Sequence, residues 1–299
     1  MSETLEGLRR KIDGAAELEA VVRTMKALAA SSIGQYERAT HALDDYFRTV
    51  QLGFVAYFRQ TRSETLVEER ASTGPISAYV FGSDQGLVGR FNDVLADSAA
   101  TTLAALPGKK RVWAVGERIE TLLADSGLPS SGLLPAPNSV VAVTGLVGRI
   151  LLEIDAHREH GKTGQVYLFY NRRKSSAAYE PVSRRLLPLD DRWRRALIEM
   201  PWPTGNLPQV IEGGEATLRA LLSEYLFVSL FRACMESLAS ENASRLAAMQ
   251  RAEKNIDKVL EELSATFHRL RQNAIDDELF DVISGYEALR GGNREFSRW

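Results

Sequence analysis

Residues 242–274 read NASRLAAMQRAEKNIDKVLEELSATFHRLRQNA, and the spacing of their apolar side chains decides the fold. Apolar residues recur every seven positions on two rows, which is the pattern of a coiled-coil seam. The first row contains Asn242, Met249, Ile256, Leu263 and Leu270, and the second contains Leu246, Glu253, Leu260, Phe267 and Ala274. Only Asn242 and Glu253 are strongly polar. The stretch therefore predicts a helix that packs along another helix.

The predicted helix extends well beyond this stretch in both directions. No proline follows Pro208, and no glycine lies between Gly214 and Gly285. We predict one helix over residues 207–289, which at 1.5 Å per residue is about 120 Å long. A helix of that length cannot bury its own apolar stripe, so it needs a partner.

The N-terminal 60 residues supply a matching pattern. Their first row holds Leu8, Ala15, Val22, Ala29, Tyr36, Leu43, Val50 and Tyr57. A second row, three residues further on, holds Leu18, Met25, Ser32, Ala39 and Tyr46. A single short stripe would be better explained by a helix lying on a globular core. Two stripes at opposite ends of one chain favour an antiparallel coiled coil, with the left-handed supercoil that a strict heptad implies.

The two predicted helices differ in length. The first, from about residue 4 to residue 60, would span about 85 Å, so the end of the longer last helix extends beyond it. Its apolar residues are Ala274, Ile275, Leu279, Phe280, Val282 and Ile283. An exposed apolar surface on a lone helix is typical of an association site. We therefore expect this end to lie inside another protein.

Strands and helices alternate between the two long helices. Strands are predicted at 76–81, 111–115, 139–143, 165–170 and 181–187, and helices at 91–106, 117–124 and 145–160. Residues 190–208 look like a loop. This alternation is typical of an α/β domain with a largely parallel sheet. The predicted fold is a mixed α+β and α/β architecture: a long antiparallel coiled coil (1–60 and 207–289), an inserted Rossmann-like domain (73–205) and a tail (290–299).

Composition excludes several classes of protein. The formal net charge of −2 gives no general case for nucleic-acid binding. No apolar run approaches the roughly 20 residues that span a bilayer, and charged residues interrupt the N-terminus where a signal peptide would be apolar. One cysteine, Cys234, rules out an intrachain disulfide and fits a reducing compartment. We expect a soluble protein on the cytosolic side.

No catalytic, cofactor or metal site is predicted. The turn after the first strand has Gly82, Gly86 and Gly89, a spacing that matches neither a dinucleotide fingerprint nor a Walker A loop. A tight strand-to-helix turn explains it better than nucleotide binding. Asp84 and Arg90 in this turn are candidate contacts to a partner.

Other reactive or charged residues have ordinary explanations. His157 and His160 lie three apart, but no further ligand lies near them in sequence, so a solvated helix end is preferred to a zinc site. Cys234 lies in an apolar stretch and is expected to be an inert core thiol. The basic cluster at 172–174 is expected to be a solvated loop.

Five stretches carry a resemblance to a known family. Residues 8–12 (LRRKI), 22–31 (VRTMKALAAS), 80–89 (VFGSDQGLVG), 237–249 (SLASENASRLAAM) and 271–285, which begins RQNAI, resemble the γ subunit of F-type ATP synthases. The resemblance spans nearly the whole chain. Val88, Arg90 and Ser32 depart from the family pattern. Such departures are typical of a specialised bacterial branch, and a sodium-coupled branch is one alternative.

The resemblance implies a non-catalytic rotor subunit without a cofactor. It would couple ion flow through the membrane sector to ATP synthesis or hydrolysis, at the cytoplasmic face of the bacterial plasma membrane. Implied partners are the α and β subunits of the catalytic ring, the ε subunit and the membrane c-ring. Implied ring contacts are Arg23, Met25, Lys26, Arg271, Gln272, Leu279 and Ile283, and Asp84 and Arg90 would contact the stalk or the c-ring.

Two other classes stay open on the sequence alone. A non-rotary coiled-coil scaffold would bind two partners without affecting their catalysis. A small α/β enzyme with a helical appendage would bind a ligand in its central domain.

Overall fold

The computed structural model describes residues 4–60, 74–159, 164–174, 178–189, 191–206, 208–210 and 214–295. Within these residues the chain forms helices and strands in the order α1 (Leu5–Gln60), β1 (Ile76–Phe81), α2 (Phe91–Ala105), β2 (Lys110–Val115), α3 (Glu117–Asp125), β3 (Gly132–Leu134), α4 (Val140–Glu159), β4 (Gln165–Arg173), β5 (Tyr179–Leu187), α5 (Asp191–Ile198) and α6 (Glu215–Glu295). The predicted long helices at both ends of the chain are therefore confirmed.

The chain divides into two compact units, and both long helices contribute to each. Unit 1 comprises Met1–Ala27 and Met249–Trp299, and unit 2 comprises Leu28–Ala248. Unit 1 consists of the start of α1 and the distal part of α6. Unit 2 holds the sheet and the remaining helices.

The sheet of unit 2 has the strand order β3-β2-β1-β4-β5. Four of these strands are parallel, and β5 pairs antiparallel with β4. The central strand β1 is buried along its whole length, with Ala78 and Val80 in one apolar core and Tyr79 and Phe81 in the other. This alternation follows the two-residue period of a strand. The predicted layered α/β architecture with a largely parallel sheet is confirmed.

Helices cover both faces of the sheet. α2 and α3 pack on one face through Leu95, Leu103 and Ile119. On the other face lie α4, α5 and the parts of α1 and α6 that belong to unit 2. There α1 and α6 run antiparallel, because Asp44 pairs with Arg232 and Tyr46 donates a hydrogen bond to Glu224.

The first heptad row of α1 and both rows of α6 are confirmed, since every member is buried or half-buried. The second row predicted for α1 is half-buried in its middle but wrong at its ends, where Leu18 is 61% exposed and Tyr46 is also exposed. Near the start of α1 the half-buried row lies four residues after each first-row residue, at Ile12, Glu19 and Lys26.

Charge pairing explains why polar residues occupy that row. Lys26 Nζ lies 2.7 and 2.8 Å from the carboxylate oxygens of Glu253, the polar break in the α6 seam. Glu19 pairs with Arg23 one turn further along α1. A half-buried charge is tolerated when an opposite charge meets it.

Two local predictions in the central region are wrong, and one short strand was not predicted. Residues 139–143 are not a strand, because α4 begins at Val140 and the Ser139 hydroxyl accepts a hydrogen bond from the Ala142 backbone N–H, as an N-cap residue does. The third parallel strand is the short β3, which pairs with the end of β2. Residues 191–198, predicted as loop, form α5, whose Leu197 is buried.

The bounds of the last helix also differ from prediction. α6 begins at Glu215 after Gly214, whose φ is 113°, and residues 208–210 are not helical. It ends at Glu295, so part of the predicted tail is helical. Leu207, His160, residues 61–73 between the first helix and the sheet, and the last four residues of the tail lie outside the described residues.

Candidate functional surface: the exposed end of the last helix

Residues 275–286 of α6, in unit 1, are exposed on every side of the helix. Each residue from 275 to 286, here called the apolar tip, is exposed, and its apolar side chains include Phe280 at 67% and Val282 at 69%. Ile275, Leu279, Val282, Ile283 and Tyr286 follow the spacing of one helix face. Asp276, Asp277, Glu278 and Asp281 supply acidic groups between them. The predicted apolar overhang is confirmed from Ile275 onward, whereas Ala274, which was predicted to belong to it, is half-buried.

The length of α1 explains where the tip begins. In an antiparallel pair with Lys26 beside Glu253, the residue that lies opposite Leu5 is Ala274. Leu5 is the first helical residue of α1, and Ala274 is the last half-buried residue within 215–286, the part of α6 whose burial is described. The 21 residues of α6 from 275 to 295 therefore have no partner in α1 and extend for roughly 30 Å.

The seven predicted ring contacts fall into two groups along unit 1. Arg271 and Gln272 are exposed just before the tip, and Leu279 and Ile283 lie in it. In the same register Arg23 lies opposite residue 256, about 22 Å along α6 from Arg271. The structure does not bring the two groups together at one point.

The α1 group is already engaged within the chain. The Arg23 guanidinium is exposed and pairs with Glu19. Met25 is half-buried, and the Lys26 side chain is one-third exposed while paired with Glu253. A partner would meet a neutralised ion pair at Lys26 rather than an isolated charge.

The glycine-rich turn of unit 2 has a structural role. The Asp84 carboxylate accepts hydrogen bonds from the backbone N–H groups of Glu117 and Ala136, at 3.1 and 3.2 Å. It thereby caps the first turn of α3. A Cβ at Gly82 would lie 2.2 Å from Ile119 Cβ, so only glycine fits there. Arg90 is exposed at the start of α2.

Three serines of α6 attach that helix to the end of the sheet, and sequence reasoning missed them. The Ser237 hydroxyl donates to the Phe81 carbonyl at 2.8 Å, and the Ser244 hydroxyl donates to the Val88 carbonyl at 2.5 Å. The Ser240 hydroxyl lies 3.0 Å from the Asn171 carbonyl. Their spacing of three and four residues, which puts them on one helix face, was the signal available in the sequence.

A buried ion pair lies one turn further along α6. Arg245 donates to Glu241 at 2.6 Å, and both side chains are nearly inaccessible. Burial raises the pKa of the Glu241 carboxyl, and the neighbouring Arg245 charge opposes that rise. Burial also raises the pKa of the Cys234 thiol, as expected for an inert core cysteine.

Neither a metal-binding cluster nor a membrane-spanning helix occurs in the described part of the chain. No group of three or more His, Cys, Asp and Glu side chains there could hold a metal ion. His157 packs edge-on against Trp113, with ring centroids 5.5 Å apart. Among the same residues, no helix is both long enough and apolar enough to cross a bilayer.

A helix pair with an exposed apolar stretch, together with an α/β unit in the same chain, is typical of proteins that associate with a partner through the exposed helix. The sequence model of the family described as ATP synthase matches residues 4–289, so the chain belongs to the ATP synthase family. Similar curated proteins are named ATP synthase gamma chain. The one from Desulfitobacterium hafniense is 28% identical over 294 residues, covering 94% of this chain and 98% of the relative. The one from Syntrophobacter fumaroxidans is 27% identical, covering 96% and 99%.

Solved structures share the fold. The chain is similar to a chain of the Euglena gracilis mitochondrial ATP synthase rotor, with a TM-score of 0.60 and 14% identity, covering 91% of this chain and 98% of that one. It is also similar to a chain of the central stalk and c-ring structure of Tetrahymena thermophila ATP synthase, with a TM-score of 0.55 and 21% identity, covering 78% and 99%. The family resemblance stated from the sequence motifs is confirmed.

Proposed function

We infer that this chain is the γ subunit of a rotary F-type ATP synthase, a non-catalytic central-stalk rotor. The observation that carries this inference is the apolar tip, which leaves twelve consecutive residues exposed. A solvated stripe that includes Ile275, Leu279 and Ile283 costs free energy unless a partner covers it. A ring of α and β subunits with an apolar central opening would cover the tip from all sides.

The proposed mechanism follows from the asymmetry of the tip. One side of the helix is apolar and carboxylates lie between its apolar residues, so each ring subunit would face a different surface at a given rotor angle. The nucleotide affinity of each catalytic site would then depend on that angle. Binding at one site and rotor angle would be reciprocally coupled, as linkage requires.

A rotor must also resist twisting, and two sets of contacts in the structure would contribute to that resistance. Lys26 and Glu253 join the two helices of unit 1. In unit 2, the hydroxyls of Ser237, Ser240 and Ser244 attach α6 to the carbonyls at the end of the sheet. Both sets of contacts oppose sliding of one element along another.

Unit 2 is proposed to contact the ε subunit and the membrane c-ring, with Asp84 and Arg90 in or near the contact. The complex would lie at the cytoplasmic face of a bacterial plasma membrane. The predicted domain boundaries, with an inserted domain at 73–205 between coiled-coil segments at 1–60 and 207–289, are kept as part of this proposal, except that the helix of the second segment begins at Glu215.

Arg271 and Gln272 are proposed to bind acidic loops of a catalytic subunit, with Leu279 and Ile283 in apolar contact beyond them. Arg23, Met25 and Lys26 would contact the ring at a separate position, about 22 Å along α6 from Arg271, as the register of the two helices requires. The planar guanidinium of Arg271 suits a bidentate contact with a carboxylate.

The test uses the full chain reconstituted with its α, β and ε subunits. Arg271→Ala is expected to lower coupled ATP turnover by about tenfold, because it removes a charge-assisted contact, while leaving the melting temperature of the free chain unchanged. Arg219→Ala is the matched control, since Arg219 is an exposed α6 residue far along the sequence from the tip. Equal turnover in the two variants would refute the role of Arg271, and failure of the chain to assemble with the ring would refute the function.

A further inference from the structure

A cavity of about 420 Å³ lies in unit 2 where β5, α5 and α6 meet. Its volume falls within the roughly 300–1,000 Å³ range of small-molecule sites. The residues that line it include Arg184, Arg185, Pro188, Trp193 and Tyr225. None of them is among the residues proposed above to contact the ring, the stalk or the c-ring.

The segment around the cavity is strongly basic. Residues 184–195 read RRLLPLDDRWRR and carry five arginines against two aspartates, although the whole chain has a formal net charge of −2. Arg192 and Arg195 are exposed on α5. A local concentration of positive charge raises the concentration of anions at its surface. The cavity is therefore suited to an anionic ligand.

Two consecutive arginines of the edge strand β5 line the same cavity, next to an irregularity in the sheet. The pairing of β4 with β5 shifts register between Val166 and Tyr167. Leu186 and Leu187 are both buried beside the shift, which breaks the alternation of a regular strand. Arg184 and Arg185, which are consecutive, both line the cavity.

The aromatic wall of the cavity is held in place by its neighbours. Arg184 donates a hydrogen bond to the Tyr225 hydroxyl at 3.4 Å. The Tyr225 ring lies 5.2 Å from the Trp193 ring, which packs edge-on against Phe54 at 5.1 Å. Fixed rings next to guanidinium groups offer both an apolar surface and donors in a forked geometry.

We propose that this cavity binds a phosphate-bearing small molecule, with its phosphate on Arg184 and Arg185 and its ring or apolar body against Trp193 and Pro188. Arginine forks match phosphate oxygens bidentately. The exposed arginines of α5 steer the anion toward the cavity without lining it. Two sources share this chemistry: a nucleotide, and the headgroup of an anionic phospholipid.

Isothermal titration of the full-length chain tests the proposal with three probes: ADP, inorganic phosphate and soluble short-chain phosphatidylglycerol. Saturable binding of one molecule of ADP or of the lipid is expected, tighter than binding of inorganic phosphate. The tighter of the two identifies the source. Arg184→Gln and Arg185→Gln are each expected to weaken that binding about tenfold. Arg195→Gln, which changes an exposed arginine on α5, is the matched control and is expected to change it less than twofold.

Three results would overturn the proposal. The first is that none of the probes binds at millimolar concentration. The second is that Arg195→Gln weakens binding as much as the cavity variants, which would indicate a diffuse basic surface. The third is that inorganic phosphate binds as tightly as ADP and the lipid, which would remove the role of the aromatic wall. Circular dichroism checks folding, and the exposed Arg185 carries the test if Arg184→Gln does not fold.

Discussion

The attachment of α6 to the sheet can be tested by removing the two hydroxyls that make the clearest contacts. Ser237→Ala and Ser244→Ala each delete one hydrogen bond to a backbone carbonyl, of Phe81 and Val88 respectively. Losing a buried hydrogen bond and leaving its acceptor unsatisfied costs about 1–2 kcal/mol. The two serines contact different carbonyls, so the double variant is expected to lose about 2–4 kcal/mol.

Amide hydrogen exchange in the glycine-rich turn measures this loss locally. The Gly82 N–H is bonded to the Val115 carbonyl, and the Ser83 N–H is bonded to the Asn92 side-chain oxygen, so both amides report opening of the turn. Each 1.4 kcal/mol corresponds to a factor of ten in the opening equilibrium. Exchange of these amides is expected to accelerate about tenfold in each single variant and about a hundredfold in the double variant.

The matched control is Ser223→Ala, which removes an exposed hydroxyl from the same helix. Surface changes of this kind alter stability by less than about 0.5 kcal/mol. If the double variant left the exchange of Gly82 and Ser83 within twofold of the original chain, the serine contacts would not hold the sheet to α6.

Three further predictions concern single sites or one residue pair. Gly82→Ala is expected to destabilise unit 2 by about 1–3 kcal/mol in urea unfolding, because the added Cβ would meet Ile119. Gly86→Ala is the control and is expected to be neutral, because no atom lies within 4 Å of its added Cβ; equal effects of the two variants would contradict the prediction. Burial raises the folded-state pKa of the Glu241 carboxyl. Its contribution to stability is therefore full below the ordinary pKa of 4.5 and is lost as the pH rises through the raised pKa. Glu241→Gln should flatten that part of the pH–stability curve, and an unchanged slope would contradict this prediction. A double-mutant cycle of Lys26→Met and Glu253→Met should give a coupling of about 1 kcal/mol, and additive effects would show that the pair contributes nothing.

The heptad rows of α6 and the first row of α1 could be predicted because burial in a helix pair imposes a seven-residue period that the sequence shows directly. The apolar tip could be predicted because the predicted last helix is longer than the predicted first helix. The second row of α1 could not be predicted in the same way. An apolar residue such as Leu18 was expected in the seam and a charged residue such as Lys26 was not. In the structure Leu18 is exposed, and Lys26 is half-buried because Glu253 of the other helix pairs with it. Only the folded pair shows that match.

Short elements were predicted less well than long ones. β3 has three residues, and pairing with β2 defines it rather than any pattern of its own. The valines at the start of α4 favoured a strand by composition, but the Ser139 cap and burial of Val143 at helical spacing make a helix there. The serine contacts of α6 depend on carbonyls more than 60 positions away in the sequence.

The cavity at Arg184 also depended on the fold. The sequence shows a basic segment, but the register shift in β5 and the packing of Trp193 on Tyr225 are properties of the packed sheet. Local sequence patterns therefore predicted the architecture and the apolar tip. The ion pair between the helices, the serine contacts and the cavity could be identified only in the structure.

Cross-linking of the apolar tip within the assembled complex tests the rotor assignment most directly. Cys234 is the only cysteine and is buried, so Leu279→Cys supplies a single accessible thiol. A thiol-cleavable cross-linker is expected to join this position to a ring subunit and stop ATP turnover, which reductive cleavage then restores. Leu152→Cys, exposed on α4, is the control and should not cross-link to the ring. The account is contradicted if Leu279→Cys reacts with a water-soluble thiol reagent as fast in the complex as in the free chain and cross-linker treatment leaves turnover unchanged.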